Sequence, residues 1–408
     1  YTKNVISLAK KLGFLTIETV SIINYARMLS EIQSNHEAYE YAKEAENKIL
    51  ANNMVMLKIP CITTLMEITQ NLSRYKEFCE YRKEYIKTVR ENKKKSANQH
   101  NCVFYVIMAR MYQEFGYTNK AIVCLQRSIK LKKHLPDHQL FIVYFMLETL
   151  RIIQRKKSDI NNLIKIFNLY INIKNYSTKN IRQLTKNFFD TVITATIKRP
   201  DIDFTPLILQ IVKFNIPDLY DFQQAGMNYL NIYLSKTETE HILQENLQLI
   251  KPKKLINIAL FLNMTLGDYY YAAGIQNLAI IYYLEAQNKI LEILKNTPEK
   301  CKARLFNNWQ FNRAFDIVSD FIKGKPLQKE KKYNQKTTNS ELKEILKSKH
   351  INIIKKDKNL KNKLVQTFLK NEGYEHISPV EIVNNFTDNY TQNISEIMKF
   401  LALNIIAT

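Results

Sequence analysis

Small and aromatic residues recur at fixed spacing between Leu266 and Ala286, and this pattern constrains the fold more than any other feature of the chain. The pattern comprises Leu266, Gly267, Tyr270, Gly274, Ala279, Tyr283 and Ala286. Gly267 and Ala279 are placed where two antiparallel helices touch, because small residues let the backbones approach closely, and Tyr270 and Tyr283 fill the space beside that contact. Gly274 permits a tight turn with positive φ. Such a hairpin cannot bury both its faces alone, so neighbouring hairpins must stack on it.

This spacing resembles one tetratricopeptide (TPR) repeat. Residues 17–50 fit the same pattern in their small residues, with Ile22, Ala26, Leu29, Ala38, Ala42 and Ala45 at the equivalent positions. Residues 102–135 fit it again, with Ala109, Tyr112, Gly116, Ala121 and Leu125. The resemblance implies an all-α fold, a right-handed α-solenoid of about seven antiparallel helical hairpins. The composition agrees, because only 7 Gly and 9 Pro disfavour a sheet protein rich in tight turns.

The remaining segments divide the chain into three regions. An amphipathic pair covers residues 55–93, a polar basic linker follows from Arg90 to His100, and three further hairpins are expected at about 138–174, 178–214 and 217–250. Residues 299–323 are expected to form one helix that caps the last apolar face. The predicted domains are a repeat solenoid over 1–294, a capping helix over 295–323, and a basic region with C-terminal helices over 324–408.

The C-terminal region is the most basic part of the chain. Between Lys323 and Lys363 lysines far outnumber acidic residues. Thr338 with Glu341 predicts a capping box at the start of one helix, and Ser378 with Glu381 predicts another ahead of an amphipathic helix over 394–405. The basic stretch is interpreted either as a solvated, partly disordered tail or as a surface for RNA or an acidic partner. The nucleic-acid or acidic-partner candidates are Lys325, Lys329, Lys331, Lys332, Lys355 and Lys356.

The formal net charge of +22 has two interpretations. A basic protein can meet nucleic acid, or Lys, Asn and Ile can be abundant because of AT-rich codons. The Pro-Asp turns at Pro136 and Pro217 also resemble the ends of pentatricopeptide (PPR) repeats, which implies RNA binding as an alternative. No residue pair recurs at the positions where that family reads bases.

The TPR resemblance also implies where a partner would bind. Helix positions that alternate with the packing positions line the groove of that family. Carried onto this chain, the groove candidates are Arg27, Arg110, Gln113, Asp268 and Tyr271. The alternative is that these five are solvated surface residues. The Lys/Asn/Arg set that captures a C-terminal carboxylate in some members is not reproduced.

The chain shows no sign of catalysis or of a cofactor. It has no Gly-rich phosphate loop, no nucleophile motif and no paired carboxylates. His134 and His138 are four residues apart, but Pro136 lies between them, so loop histidines are expected rather than a metal site.

No apolar run is long enough to span a bilayer. The five cysteines form no CxxC pair, which predicts reduced thiols inside the cell, in the cytoplasm, nucleus or mitochondrial matrix. A chain starting at Tyr1 suggests a processed or trimmed N-terminus.

These observations predict a non-catalytic scaffold that binds a protein segment within a multi-subunit assembly, which the basic charge makes a candidate ribonucleoprotein. The alternative is a PPR-like factor acting on organellar, mitochondrial RNA. An enzyme is the third hypothesis, and it requires convergent ionisable groups that the sequence does not supply.

Overall fold

The computed structural model describes residues 2–91, 97–135, 137–154, 160–171, 191–196, 198–199, 201–213, 224, 226–228, 230, 239–250, 256–325, 337–347 and 350–371. Within these ranges the regular structure is entirely helical, and consecutive helices pack against each other. The predicted all-α fold is confirmed at this level, and the arrangement fits an α-solenoid. The right-handed sense and the number of about seven hairpins stay predictions.

The chain forms two compact units, Tyr1–Leu255 with Asn296–Pro298 and Ile256–Lys295 with Glu299–Thr408. The first unit contains α1 (Thr2–Lys11), α2 (Leu15–Glu31), α3 (Asn35–Ala51), α4 (Val55–Asn71), α5 (Tyr75–Glu91), α6 (Ala97–Glu114), α7 (Thr118–Lys130), a 3-10 turn (Lys132–His134), α8 (Asp137–Ile153), α9 (Ile160–Ile171), α10 (Thr205–Lys213) and α11 (Thr239–Ile250). The second contains α12 (Ile256–Ala272), α13 (Gln276–Lys295), α14 (Glu299–Asn308), α15 (Asn312–Ile322), α16 (Asn339–Lys347), α17 (His350–Lys356) and α18 (Lys358–Asn371). The predicted three-domain division stays a prediction.

The same type of turn follows eight of the described helices. Gly13, Gln33, Asn53 and Ser73 all have positive φ, between 50° and 69°, and follow each other at intervals of 20 residues. At Gln33 the backbone N–H donates to Ser30 O (3.1 Å), and the next N–H, of Ser34, donates to Leu29 O (2.9 Å). This is the Schellman motif, which satisfies the last carbonyls of a helix. The same two bonds recur around Gly116, Gly274, Gln310 and Gly324.

The first unit begins with three regular hairpins. They are α2 with α3, α4 with α5, and α6 with α7, and in each we call the first helix A and the second B. The A helices also pack side by side, α2 on α4 and α4 on α6. The predicted repeats over 17–50 and 102–135 therefore correspond to hairpins, and so does the pair over 55–93. The predicted linker Arg90–His100 is shorter than expected, because α5 extends to Glu91 and α6 begins at Ala97.

Small residues form the core of the first hairpin, as predicted. Ala26, Ala38, Ala42 and Ala45 are all buried. The second hairpin has larger residues at the equivalent positions, and its core is filled differently. Tyr85 replaces the alanine found at Ala45, and its buried ring stacks on Phe104 with centroids 4.2 Å apart. Helix α8 packs on α7 and α9, as the predicted hairpin over 138–174 requires. Of the next two predicted hairpins, the structure describes mainly α10 and α11.

The second unit is built on the α12–α13 hairpin. A Cβ atom added at Gly267 would lie 2.7 Å from Cε1 of Tyr283, so the glycine is needed for this close approach. Tyr270 stacks on Tyr282 with centroids 5.4 Å apart. The prediction of one helix over 299–323 is wrong, because α14 and α15 are separated by a turn at Gln310, where φ is 52°. Phe311 N–H closes this turn on Phe306 O at 3.0 Å.

The described part of the basic C-terminal region folds onto this hairpin. Helix α18 packs on α13, α17 on α15, and α16 on α14. Leu342, Ile354 and Leu364 are buried in these contacts. The predicted capping box is confirmed, since Thr338 N donates to Glu341 Oε2 (2.7 Å) and Glu341 N donates to Thr338 Oγ1 (3.3 Å). The interpretation as a solvated tail is therefore wrong for 337–347 and 350–371. The second predicted capping box and the helix over 394–405 lie outside the described residues.

Candidate interaction surface

The three A helices and α12 each carry a charged residue at an equivalent position. Arg27, Glu67, Arg110 and Asp268 each lie six residues before the positive-φ residue of their turn, at Gln33, Ser73, Gly116 and Gly274 respectively. Since the A helices of the first unit lie side by side, Arg27, Glu67 and Arg110 share one face. We call this face of α2, α4 and α6 the A-helix face.

The charges on the A-helix face interact with one another. Arg110 Nη1 lies 3.4 Å from Glu67 Oε1, and both side chains stay partly exposed. Arg27 is exposed, and its positive charge acts on His100 at the start of α6. Burial lowers the pKa of His100, and Arg27 lowers it further. Arg27 and the Glu67–Arg110 pair are therefore the charged groups of the A-helix face.

Two further rows of residues flank these charges. Seven residues earlier, which is about two helical turns, lie the apolar side chains of Val20, Pro60 and Val103. Val20 is exposed, and the other two are half-buried. Three residues after the charged position lie the polar side chains of Ser30, Gln70 and Gln113. Ser30 and Gln70 are buried, and Gln113 is half-buried. The A-helix face therefore presents an apolar row and a charged row at its surface, and of the polar row only Gln113 reaches it.

Asp268 has a different environment from its equivalents in the first unit. Its Oδ1 accepts a hydrogen bond from the Tyr283 hydroxyl (2.6 Å), and its Oδ2 lies 2.7 Å from Arg313 Nη2. Burial raises the pKa of Asp268, while the charge of Arg313 and the Tyr283 bond oppose that rise. These contacts give Asp268 a structural role that its sequence position did not reveal. The binding role predicted for Asp268, and for the half-buried Tyr271, stays a prediction.

The predicted lysine candidates are spread over the second unit. Lys325 is exposed and lies 3.4 Å from Asp320, Lys355 belongs to α17, and Lys356 is exposed at the end of that helix. Lys329, Lys331 and Lys332 lie outside the described residues. Helices α16 to α18 add exposed lysines at Lys343, Lys358 and Lys363. Neither these three nor Lys356 has an acidic partner among the described residues.

The cysteines are all described, and all five carry free thiols. Cys61, Cys102 and Cys124 are buried, and burial raises the pKa of Cys61 to about 12, so its thiol stays protonated at neutral pH. In the parts of the chain that the structure describes, no three His, Cys, Asp or Glu side chains are placed to hold a metal ion. No helix in those same ranges has both the length and the apolar character needed to cross a bilayer.

No protein-family model and no curated protein matches the chain. The function is therefore argued from the geometry of the A-helix face and from the charges of the second unit.

Proposed function

We propose that the protein is a non-catalytic, TPR-like helical-repeat scaffold whose A-helix face binds a segment of a partner protein. The observation that carries the proposal is the register of this face. Three successive A helices present exposed or half-buried residues at the equivalent apolar and charged positions. A helix or an extended peptide lying across the face would meet the apolar row and the charged row at a regular interval.

The alternating signs of Arg27, Glu67 and Arg110 indicate the chemistry of the ligand. Glu67 is already paired with Arg110, whereas Arg27 has no acidic partner among the described residues and contributes a positive charge at one end of the row. A partner segment with an acidic side chain near Arg27 and apolar side chains near Val20, Pro60 and Val103 would complement the face. Half-exposed ion pairs contribute little to stability. Changing these charges should therefore alter binding far more than folding.

The test compares two double variants of the full chain in affinity capture from source-cell extract, with the bound proteins quantified. Arg27→Glu with Arg110→Glu reverses the A-helix face, and Lys87→Glu with Lys130→Glu makes the same charge change on exposed B-helix positions. We expect one or more proteins to be lost with the first variant and retained with the second. Identical captured proteins for both variants would contradict the proposal, provided that circular dichroism shows both to be folded.

A second function is supported by a separate observation, the exposed lysines on α16 to α18. Lys343, Lys356, Lys358 and Lys363 have no acidic partner among the described residues, and such lysines suit sequence-independent contacts with phosphates. The alternative proposal is therefore an RNA-binding repeat protein, PPR-like and organellar, or a scaffold within a ribonucleoprotein. The five free thiols support a reducing compartment in either case.

Fluorescence anisotropy with a labelled single-stranded RNA at two salt concentrations separates these functions. RNA binding that falls steeply with salt, and that Lys356→Glu with Lys358→Glu and Lys363→Glu weakens, would support a scaffold that docks RNA on its second unit. RNA binding with sequence preference that is instead lost with Arg27→Glu and Arg110→Glu would support the PPR-like function. Absence of RNA binding at both salt concentrations would remove the RNA hypothesis.

A further inference from the structure

The surface of the B helices changes its charge at α7. We compare the positions four, seven and eleven residues after the positive-φ residue of each hairpin's turn, because this spacing places them in a line along one side of a helix. We call this line the B-helix stripe, and its side chains are exposed or half-buried. It consists of Glu37, Glu40 and Glu44 on α3, Glu77, Glu80 and Glu84 on α5, and Lys120, Val123 and Arg127 on α7. Two hairpins therefore carry three glutamates each where the third carries two cations.

The glutamates of the first two hairpins form ion pairs with other helices. Glu37 Oε1 lies 3.7 Å from Lys3 Nζ of α1, and Glu84 Oε1 lies 3.0 Å from Lys58 Nζ of α4. The two cations on the stripe of α7 have no ion pair among the described residues. A genomic bias toward lysine would act on all three B helices alike, so it does not account for this difference.

The cations of α7 belong to a segment without acidic side chains. From Thr118 to Leu135 the sequence contains no Asp or Glu. The basic side chains of this segment are all exposed, and they are Lys120, Arg127, Lys130, Lys132 and Lys133. Ten residues of helix separate the first of them from Lys130, a length of about 15 Å. The positive charge is therefore spread along the whole helix.

Two of these cations lie over tyrosine rings. Lys120 Nζ is 4.7 Å from the ring centroid of Tyr117 and 5.8 Å from that of Tyr112. Arg127 Cζ is 5.9 Å from the ring centroid of Tyr105. The three tyrosines are half-buried, so part of each side chain reaches the surface. A planar guanidinium group held over an aromatic ring offers its own outer face for stacking.

This combination of groups indicates the chemistry of the ligand. A line of cations complements a chain of phosphates, and aromatic rings with a guanidinium plane complement bases that are free to stack, as they are in a single strand. An acidic protein segment would match the charges but would leave the stacking groups unused. A second copy could offer its own glutamates, but ion pairs already neutralise several of them.

We propose that the exposed side of α7, together with the tyrosines beside it, binds a single strand of nucleic acid. We call this surface the α7 face. Phosphates of the strand contact Lys120, Arg127 and Lys130, and bases stack on the Arg127 guanidinium and on Tyr105 and Tyr117. The α7 face is separate from the A-helix face and from the lysines of α16 to α18, and the proposal does not depend on either of them.

The first test is fluorescence anisotropy of the full chain with a short labelled single-stranded RNA of mixed sequence. Lys120→Glu with Arg127→Glu should weaken binding about tenfold or more at low salt. The slope of log affinity against log salt should become shallower by about 1.4, at about 0.7 for each lost phosphate contact. The matched control is Lys83→Glu with Lys87→Glu, the same charge change at exposed positions of α5. Equal effects of the two double variants would overturn the proposal.

The second test separates stacking from charge. Arg127→Lys keeps the positive charge but removes the guanidinium plane, and the side chain is exposed, so folding should be unaffected. We expect this variant to bind the RNA about fivefold more weakly, and to bind an abasic strand of the same length as the unchanged protein does. Equal affinity of the unchanged protein for the RNA and the abasic strand would assign the α7 face to polyanions in general, acidic protein segments included, and would overturn the proposal.

A photo-crosslinker at Val123 of the full chain locates the strand. Val123 is exposed between Lys120 and Arg127, and the matched control carries the crosslinker at Glu80, the equivalent position of α5. Labelled RNA should crosslink at Val123 and far less at Glu80. RNA that binds without crosslinking at Val123, or a product of twice the mass of the chain that forms equally without RNA, would overturn the proposal. Since Lys130→Glu also serves as a control for the A-helix face, that affinity capture uses nuclease-treated extract.

Discussion

The two units use the same helical hairpin and the same turn, but they bury their surfaces in different ways. Helices α2 to α5 are each 17 residues long, and each contacts helices close to it in sequence. In the second unit, helices of seven to fourteen residues fold back onto the α12–α13 hairpin, and Asn277 donates a hydrogen bond to Thr367, 90 residues away. The first unit therefore keeps a regular row of A helices, while the second unit covers its own hairpin.

This comparison predicts different cooperativity. An array of similar hairpins gains stability by adding neighbours, so the loss of one contact is felt locally. A unit closed by contacts of long sequence separation loses its remaining packing when the closing helices detach. We therefore expect the two units to respond independently to substitutions, which amide hydrogen exchange resolves helix by helix.

The largest effect is expected from Ile354→Asp. Ile354 is fully buried in α17, so a charge there should destabilise the second unit by about 3 kcal/mol or more. Hydrogen exchange should accelerate in α13 and α15 and stay unchanged in α2 to α5. The matched control is Ile353→Asp, because the neighbouring Ile353 is exposed. Equal acceleration in both units would show that they do not act separately.

The next largest effect is expected from Gly267→Ala. The added Cβ would lie 2.7 Å from the Tyr283 ring, and overpacking of this kind costs about 1–3 kcal/mol. The equivalent pair in the first unit is Ala109 with Leu125, where alanine is accommodated beside the smaller side chain. In a Tyr283→Leu background Gly267→Ala should therefore cost less, as measured by urea denaturation of the four variants. An unchanged cost in that background would mean that the ring is not the obstacle.

A smaller effect is expected from pH through His350. This side chain is buried, and its Nδ1 lies 3.3 Å from Gln287 Nε2. Burial lowers the pKa of His350, and the charge of Lys323 lowers it further. The unfolded chain takes up a proton below the ordinary value of 6.5, where the folded imidazole stays neutral, so the second unit loses stability as pH falls through this range. His350→Gln should reduce the loss between pH 7.5 and pH 5.5, whereas the exposed His241→Gln should not.

The smallest effects are expected at the turns. Gln310 has positive φ without the freedom of glycine and is exposed, so Gln310→Gly should stabilise the second unit by up to about 1 kcal/mol. Asn53→Gly should gain less, because asparagine tolerates this conformation better than glutamine. Gly116→Ala should destabilise the first unit by about 1 kcal/mol. Thermal denaturation measures all three, and a stabilising Gly116→Ala would contradict the assigned turn.

The sequence predicted the hairpins where small residues and glycine turns occur together. Residues 102–135 combine Ala109, Ala121 and Gly116, and the structure has the predicted hairpin there. The signal was weaker over 55–93, because Met66, Phe78 and Tyr85 replace the alanines of the first hairpin. The break at Gln310 was missed for a related reason, since a glutamine turn carries no local mark of positive φ.

The candidate sites were less predictable, because they depend on contacts between distant residues. The position of Arg27 and Arg110 on one face followed from the repeat pattern, but Glu67 beside Arg110 required the second hairpin to be aligned with its neighbours. The pairing of Asp268 with Arg313 is not visible in any short stretch of sequence. The burial of Leu342, Ile354 and Leu364 is not visible in a short stretch either. It shows that this lysine-rich region contains packed helices.

The turns from Gly13 to Ser73 are 20 residues apart. This interval also limits which insertions and deletions the chain can accept. One residue inserted within α4 would rotate everything after it on that helix by about 100°, which would move Met66 out of the core and Glu67 off the A-helix face. A duplicated segment of 40 residues would instead bring its own turn and enter between two junctions of identical hydrogen bonding, at Gly13 and Asn53 for example. Relatives of this chain should therefore differ in length by whole hairpins more readily than by single residues.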